Sequence, residues 1–450
     1  MTSGLLRTHL QNLSIPQLFI IQMCPCQYSS RGKGFQCSKS IQQQRERLPV
    51  FKNRKHILYL LEKHQVLIIT GETGSGKSTQ IPQYLMEAGW AGKGRTIAIT
   101  QPRRVAAISL AGRVAEEVGC LVGETVGYCV RFDDCTDKEF TKIKFMTEGI
   151  LINEIMTKPL LPSYSVIMLD EAHERTLSAD ICLGLMKKIL KKRPELRLIV
   201  SSATLDAEVL RDFFSSHDES KGISAAILSI EGRAYPVDIY YLNEPVPNYV
   251  KASVDTVIKI HEGQPAGNVL VFLTGQEEVD EAVDMLKEYA RNRKNTPGVM
   301  GMYALRLYGS LPQSEQMKAF QPLSPKVRKI VVATNIAEAS VTINGIAYVV
   351  DSGFVKLNFF NPRTSTDALV VVPTSQSSAE QRAGRAGRVC SGKVYRLYRE
   401  EDFKKLPPHT VPEIQRSSLA TFVLQLKSLG VDNVARFDFP AAPPSRIMIN

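Results

Sequence analysis

The residues best suited to do chemistry lie between 71 and 78, where the chain reads Gly-Glu-Thr-Gly-Ser-Gly-Lys-Ser. This is the spacing G-x-x-x-x-G-K-[ST] of a loop that wraps around phosphate groups. Its backbone N–H groups point at phosphate oxygens, Lys77 reaches the β- and γ-phosphates, and the Ser78 hydroxyl is a magnesium ligand. The apolar run 66–69 before it and the helical pattern after it disfavour the alternative, a turn that contains a lysine by chance. The predicted nucleoside triphosphate site comprises Gly71, Glu72, Thr73, Gly74, Ser75, Gly76, Lys77, Ser78 and Thr79.

A second segment, Asp170-Glu171-Ala172-His173, follows the apolar run 165–169. Asp170 therefore comes at the carboxyl end of a predicted strand, where open parallel sheets bind their ligands. A carboxylate there holds magnesium directly or through water, and Glu171 beside it can orient and deprotonate an attacking water. We predict Ser78, Asp170 and Glu171 as the magnesium ligands and Glu171 also as the catalytic base.

A third segment, 381–388, reads Gln-Arg-Ala-Gly-Arg-Ala-Gly-Arg and places arginines at i, i+3 and i+6. On a helix that spacing brings the three guanidinium groups to one side, where they repel one another unless an anion neutralises them. A triphosphate is the expected anion, and a solvated basic helix or a nucleic-acid contact is the alternative. The two glycines favour the triphosphate, because each costs about 1 kcal/mol in a helix and needs a packing reason.

The elements that must position these residues form two series of alternating strands and helices. The first begins near residue 48, with strands predicted to end at Thr70, Thr100, Leu169 and Ser201. After a polar and proline-containing linker from 215 onwards, the pattern restarts with the apolar runs 268–273, 329–334 and 346–351. Two α/β domains with doubly wound parallel sheets are expected, and only the first has a phosphate loop. Residues 354–373 predict a β-hairpin that protrudes from the second domain.

Composition narrows the class of protein. The 450 residues are too many for one ordinary core. A net charge of +11 and a pI near 9.1 favour a polyanionic partner, and no apolar stretch reaches the roughly 18 residues of a membrane span. Eight scattered cysteines are typical of a reduced intracellular protein. Residues 1–45 contain no acidic residue, which we interpret as a disordered leader, with an organelle-targeting peptide as the alternative.

From about residue 45 to 430 the chain resembles the DEAH-box RNA helicases, superfamily 2 enzymes with two RecA-like domains. The motifs that carry the resemblance occur in the family's order at 71–79, 100–104, 170–173, 202–204, 272–275, 333–345 and 381–388. The resemblance implies a leader at 1–45, an ATP-binding RecA-like domain at 46–225, a second RecA-like domain at 226–400 and an incomplete winged-helix domain at 401–450.

The resemblance also implies roles for individual residues. In the reaction, Lys77 and Glu171 act with Gln381, which orients the water, and with the arginine fingers Arg385 and Arg388. Around ATP and Mg²⁺, Arg113 and Phe320 sandwich the base and Asp351 is a further nucleotide contact. The residues that couple hydrolysis to strand movement are His173, Ser202, Ala203 and Thr204. The residues that hold the RNA backbone are Arg103, Arg104, Thr147, Gly275 and Thr334, and the hairpin 354–373 separates strands.

Two departures from the family keep alternatives open. Ala339 replaces the family's usual threonine, and the chain ends just inside the first of several expected C-terminal domains. The leading hypothesis is an ATP-dependent RNA helicase with RNA, spliceosomal proteins or a glycine-rich activator as partners, no membrane, and a nuclear or otherwise cytoplasmic location. The alternatives are a truncated protein that binds RNA or partners without unwinding, and a DNA helicase or other P-loop ATPase.

Overall fold

A computed structural model describes most of the chain from residue 40 onwards. The described residues are 40–203, 207–215, 223–232, 235–293, 300–324, 326–338, 343, 345–388, 390–431, 433–434 and 437–444, with the backbone of the short strand Leu18–Phe19. Most of the predicted leader therefore lies outside the described residues. Its last residues, with Glu46, form the helix α1 (Ile41–Glu46). Of the described residues, none belongs to a helix long and apolar enough to cross a membrane.

The first domain is built on an eight-stranded sheet. In spatial order its strands are β5 (Asp133–Cys135), β4 (Val126–Val130), β6 (Ile143–Thr147), β3 (Thr96–Gln101), β7 (Tyr164–Leu169), β8 (Arg197–Ser202), β2 (Val66–Gly71) and β9 (Ala225–Ile230). All neighbours are parallel except β4 and β5. The helices are α2 (Arg54–Lys63), α3 (Lys77–Glu87), α4 (Arg104–Val118), α5 (Glu148–Thr157), α6 (Leu177–Lys192) and α7 (Ala207–Phe214). Strand β7 is buried along its whole length, and β2, β3 and β8 are buried except for one end residue each, as continuous apolar runs in a parallel sheet require.

The second domain has a seven-stranded sheet in the order β1 (Leu18–Phe19), β10 (Val237–Leu242), β17 (Gly392–Arg396), β14 (Ile346–Asp351), β11 (Asn268–Phe272), β13 (Val327–Ala333) and β12 (Gly301–Leu307). Only the β1–β10 pair is antiparallel. Its helices are α8 (Tyr249–Gly263), α9 (Gln276–Asn292), α10 (Gln313–Lys318), α11 (Gln376–Ala383) and α12 (Glu400–Lys405). The predicted hairpin is confirmed as β15 (Phe354–Asn361) paired with β16 (Thr366–Pro373).

Two features differ from what the sequence suggested about domain limits. Strand β9 pairs with β2, so the first domain extends to Ile230, and the expected boundary at 225 lies at the start of that strand. The segment after α12, with the helix α13 (Ala420–Ser428), returns to the first domain. Its Phe422, Leu426 and Phe437 join the core around α6. That this segment begins a winged-helix domain stays a prediction.

Candidate active site

The predicted phosphate loop has the expected setting, because it connects β2 to α3. Gly74 and Gly76 have φ angles of 91° and 94°, which residues with a side chain rarely adopt. A Cβ atom at Gly71 would lie 2.9 Å from the carbonyl oxygen of Ile230. The loop therefore needs its glycines, and its wrapped backbone at the start of a helix fits a triphosphate.

Lys77 lies inside this loop and its side chain is almost fully buried. Its ammonium donates hydrogen bonds to the carbonyl oxygens of Gly71 and Glu72, the latter at 3.0 Å. Burial lowers the pKa of Lys77, and the carboxylates of Glu171 and Asp170 oppose that shift. Lys77 therefore faces the Asp170-Glu171 segment, as the prediction requires.

Asp170 is held rigidly at the carboxyl end of β7. Its carboxylate is 1% exposed and accepts hydrogen bonds from the Gln101 amide at 2.6 Å and from the Ser201 hydroxyl. Burial raises the pKa of Asp170, the charge of Glu171 raises it further, and hydrogen bonds from Ser201, Ser78 and Gln101 oppose the rise. The Ser78 hydroxyl and the Asp170 carboxylate are therefore neighbours. Two neighbouring oxygens of this kind fit Mg²⁺, an ion that otherwise keeps several waters, and the magnesium site itself stays a prediction.

Gln101 and Ser201 were not predicted to support Asp170. Within the segment 100–104, the sequence predicts only the RNA-backbone contacts of Arg103 and Arg104. The available signal was that Gln101, Ser201 and Asp170 come at or near the carboxyl ends of three apolar runs, which meet at one edge of a parallel sheet. The order β3-β7-β8, which makes them neighbours, is a property of the folded chain.

His173 links Glu171 to the end of β8. Its Nδ1 accepts a hydrogen bond from the Ala203 N–H at 3.0 Å, and its Nε2 lies 3.4 Å from Oε2 of Glu171. Burial lowers the pKa of His173 to about 3, and the Lys77 charge lowers it as well. The imidazole is therefore neutral, and because Nδ1 accepts, the proton is on Nε2, facing Glu171. Ser202 is buried beside it, and Thr204 lies outside the described residues.

The second domain contributes arginines to the same site. A Cβ atom at Gly74 would lie 3.5 Å from Cγ and Nε of Arg388, so this side chain covers the phosphate loop. Arg385 is buried nearby and donates to the carbonyl oxygen of Glu338. Burial lowers the pKa of Arg385, and lowers that of Arg388 to about 10 against the attraction of Glu171. Both arginines therefore lie where a triphosphate would place negative charge.

The prediction that three arginines converge was wrong for Arg382. Helix α11 ends at Ala383, so Arg385 and Arg388 lie in the turns that follow it. Arg382, still on the helix, is buried inside the second domain, with Nε at 2.6 Å from Glu338 and Nη1 at 2.7 Å from Asp351. The helix ends where Gly384 approaches Thr73 of the phosphate loop: a Cβ atom there would lie 3.7 Å from its hydroxyl.

Asp351 was predicted to contact the nucleotide, and the structure places it in this internal network. Its carboxylate is 0% exposed and also accepts hydrogen bonds from the Tyr398 hydroxyl and the Gly353 N–H, each at 3.0 Å. A nucleotide contact by Asp351 stays a prediction.

The predicted base sandwich consists of Arg113, which is on α4, and Phe320 of the second domain, which contacts α4. Phe320 packs against Val105 and Ala106 in the first turns of that helix. Arg113, about 10 Å further along the same helix, donates to Glu117 at 2.7 Å. The sandwich itself stays a prediction.

The predicted RNA-binding residues lie at or shortly after the carboxyl ends of strands, some in the first sheet and some in the second. Thr147 ends β6, Thr334 follows β13, and Gly275 precedes α9, and all three are partly exposed. Arg104 is exposed, whereas Arg103 bonds to protein atoms on both domains. Between the domains lies a cavity of about 540 Å³, whose lining includes His173, Ser202 and Gln381. Gln381 is thus within the same interdomain space as the Asp170–His173 segment.

A phosphate loop and an acidic pair on one parallel sheet, covered by arginines from a second sheet, define a two-domain P-loop core of the helicase type. Comparison with known proteins agrees. The family model described as DEAD/DEAH box helicase matches residues 51–213, and the helicase conserved C-terminal domain matches residues 252–390. The chain belongs to the DEAD/DEAH box helicase family.

The similar proteins include relatives from several animals. The human protein named probable ATP-dependent RNA helicase DHX35 is 60% identical over 412 residues, which cover 91% of this chain and 59% of that protein. Its homologue in Caenorhabditis elegans is 55% identical over 92% of this chain and 56% of that protein. The crystal structure of the DEAH/RHA helicase HrpB of Escherichia coli superimposes with a TM-score of 0.78 and 32% identity, over 89% of this chain and 49% of that one. The chain thus spans less than two thirds of these relatives.

Proposed function

We propose that the chain is an ATP-dependent RNA helicase core that couples ATP hydrolysis to movement on RNA or unwinding of it. The observation that carries the proposal is the side chain of Arg388 over Gly74 of the phosphate loop. Because Arg388 belongs to the second domain and the phosphate loop to the first, both domains contribute to one site. Binding and hydrolysis of a triphosphate there change the contacts between the domains. The relatives' printed names and the predicted RNA-binding residues at the strand ends of both domains support RNA as the strand.

In the proposed reaction, the wrapped loop and Lys77 bind the phosphates of ATP, and Glu171 accepts the proton of the attacking water. The neutral His173 lies with its Nε2 3.4 Å from Oε2 of Glu171 and so helps to position that carboxylate. Arg385 and Arg388 lie against the charge that develops on the transferred phosphoryl group. Ser78 and Asp170 would hold Mg²⁺, which when bound neutralises phosphate charge.

The central test replaces Glu171 by glutamine, which keeps the shape of the side chain and removes the base. We expect the rate of ATP hydrolysis to fall by about 100-fold or more, the usual contribution of a positioned base. Glu62→Gln is a matched control, because Glu62 is an exposed residue on α2. Unchanged hydrolysis in Glu171→Gln would show that the proposed reaction is wrong.

RNA and unwinding are tested separately. We expect hydrolysis to be stimulated by single-stranded RNA more than by DNA, and affinity for RNA to fall with salt, as phosphate contacts require. Equal stimulation by DNA would favour the DNA helicase. Stimulated hydrolysis without duplex unwinding would leave an RNA-dependent ATPase, and neither activity would favour the binding protein without productive catalysis.

A finer proposal concerns the cellular role. We propose a nuclear protein of pre-mRNA splicing, with spliceosomal proteins or a glycine-rich activator as partners, on the family resemblance alone. Cross-linking and sequencing of bound RNA in cells tests it. We expect intron-containing transcripts and spliceosomal RNAs, and an absence of both contradicts the proposal.

A further inference from the structure

Arg103 occupies a position between the two halves of the site. It is the N-cap residue of α4 in the first domain, and its side chain is 17% exposed. Nη2 donates to the Glu174 carboxylate at 3.0 Å, and Nη1 donates to the carbonyl oxygen of Asn335 in the second domain at 2.5 Å. One guanidinium group therefore spans the domain boundary.

Each partner of Arg103 is tied to a residue of the proposed reaction. In the first domain, the Glu174 N–H donates to the carbonyl oxygen of Glu171 at 2.9 Å. In the second domain, the Asn335 carbonyl also accepts the Glu338 N–H at 3.0 Å, and the Glu338 carbonyl accepts the hydrogen bond from Arg385. Two successive hydrogen bonds thus connect Arg103 to the proposed base Glu171, and three connect it to the proposed arginine finger Arg385.

The residues that follow Arg103 lie in two different environments, the contact with the second domain and the solvent. Val105 and Ala106 are buried against Met317 and Phe320 of the second domain. Arg104 is exposed and follows β3, whose last residue pairs with the predicted RNA-binding residue Thr147 on β6. The start of α4 therefore presents one residue to solvent and the flanking residues to the other domain, so a strand bound at Arg104 bears on the interdomain contact.

We propose that Arg103 is a positioning residue that joins the Glu174 side of the site to the Asn335–Glu338 turn and so couples RNA binding to the approach of Arg385. This inference rests on the proposed function and changes the role predicted for Arg103, which was a contact to the RNA backbone. We call the contact of Arg103 with Glu174 and Asn335 the interdomain bridge.

Lysine at position 103 separates the two roles. A phosphate contact needs mainly a positive charge, which lysine keeps. The interdomain bridge needs a planar group that donates in two directions, which a single ammonium does not reproduce. For Arg103→Lys we expect RNA affinity within about twofold of the parent and RNA-stimulated turnover reduced on the order of tenfold or more at saturating RNA, as for loss of one charge-assisted hydrogen bond.

The exposed neighbour provides the matched control. Arg104→Met should weaken RNA binding and reduce its salt dependence, while turnover at saturating RNA recovers. Glu174→Gln, which weakens the bridge from its other end, should resemble Arg103→Lys, and the two changes together should be less than additive. If Arg103→Lys keeps full stimulation at saturating RNA, or only its RNA affinity falls, the interdomain bridge is overturned.

A second measurement keeps the inference distinct from the proposed function. Small-angle scattering of the 450-residue chain with a non-hydrolysable ATP analogue, magnesium and RNA reports the approach of the domains without hydrolysis. We expect the parent to contract and Arg103→Lys to contract less. Equal contraction of both, or none in the parent, overturns the bridge. A parent that contracts but shows no RNA-stimulated hydrolysis contradicts the proposed function alone.

Discussion

The substitution Asp351→Asn tests whether Asp351 contacts the nucleotide or serves in an ion pair inside the second domain. Asp351 ends β14, is fully buried, and lies 2.7 Å from Nη1 of Arg382. Asparagine keeps the size of the side chain, and its one oxygen can replace Oδ1, which accepts from the Gly353 N–H. The amide nitrogen then replaces Oδ2, and the Tyr398 hydroxyl, which donates to Oδ2 of Asp351, can accept a hydrogen bond from it instead. The substitution therefore removes mainly the negative charge that faces a buried guanidinium.

The expected magnitude follows from burial. Removing one partner of a buried ion pair costs about 3–5 kcal/mol, because the other charge stays desolvated. Glu338 still lies 2.6 Å from Nε of Arg382, so we expect the lower end, about 3 kcal/mol. At about 2–4 °C per kcal/mol for a domain of this size, the melting temperature of the second domain should fall by about 6–12 °C.

Calorimetry and ATP kinetics on the same preparation make the measurement. We expect Asp351→Asn to lower the melting temperature and to leave the KM for ATP close to the parent's at a temperature where both are folded. Asp402→Asn is the control, since Asp402, in the first turn of α12, pairs with Arg399 and both side chains are partly exposed to solvent. A parent-like melting temperature with a KM raised tenfold would refute the ion-pair reasoning and establish Asp351 as a nucleotide contact.

Two further predictions concern the first domain. Burial raises the pKa of Glu148 to about 8, although a hydrogen bond from Thr176 opposes the rise, so the fold stabilises the protonated acid. That stabilisation is complete below the pKa that Glu148 has in the unfolded chain, and it is lost by about 1.4 kcal/mol per pH unit as the pH rises to about 8. In urea unfolding, the free energy of unfolding of Glu148→Gln should lack this pH dependence. An identical pH dependence in parent and variant contradicts the raised pKa of Glu148. In Gly184→Ala, the new Cβ would lie 2.3 Å from the Phe437 ring, so limited proteolysis should cleave the segment after α13 faster than in the parent. Parent-like cleavage would show that the contact is not needed to hold it.

The features that the sequence predicted correctly are those determined by residues close to one another along the chain. The phosphate loop, the Asp170-Glu171 pair and the hairpin 354–373 each depend on spacing within about 20 residues, and all three have the predicted local structure. A strand, a glycine-rich turn and a helix restrict one another directly, so their residue types are visible in order.

What the sequence did not predict depends on partners far along the chain. Arg382 bonds to Glu338, which is 44 residues away, and Gln101 bonds to Asp170, which is 69 residues away. The i, i+3, i+6 spacing was assumed to continue on one helix, and the end of α11 at Ala383 separates Arg382 from the two arginines that follow. The docking of Phe437 beside Gly184 likewise requires the return of the chain from the second domain, which no local pattern encodes.

The charges at the split site give a physical reason for coupling between ATP and domain approach. Lys77, Arg385 and Arg388 are buried together opposite Asp170 and Glu171, and burial lowers the pKa of each of the three cations. Burial also raises the pKa of Asp170, which works against its negative charge. Bringing Arg385 and Arg388 to the phosphate loop is therefore electrostatically unfavourable when no further anion is present. A triphosphate between the domains makes the same approach electrostatically favourable. In the proposed reaction, hydrolysis and loss of phosphate remove that anion, so the residues that support hydrolysis would also favour the separation of the domains after it.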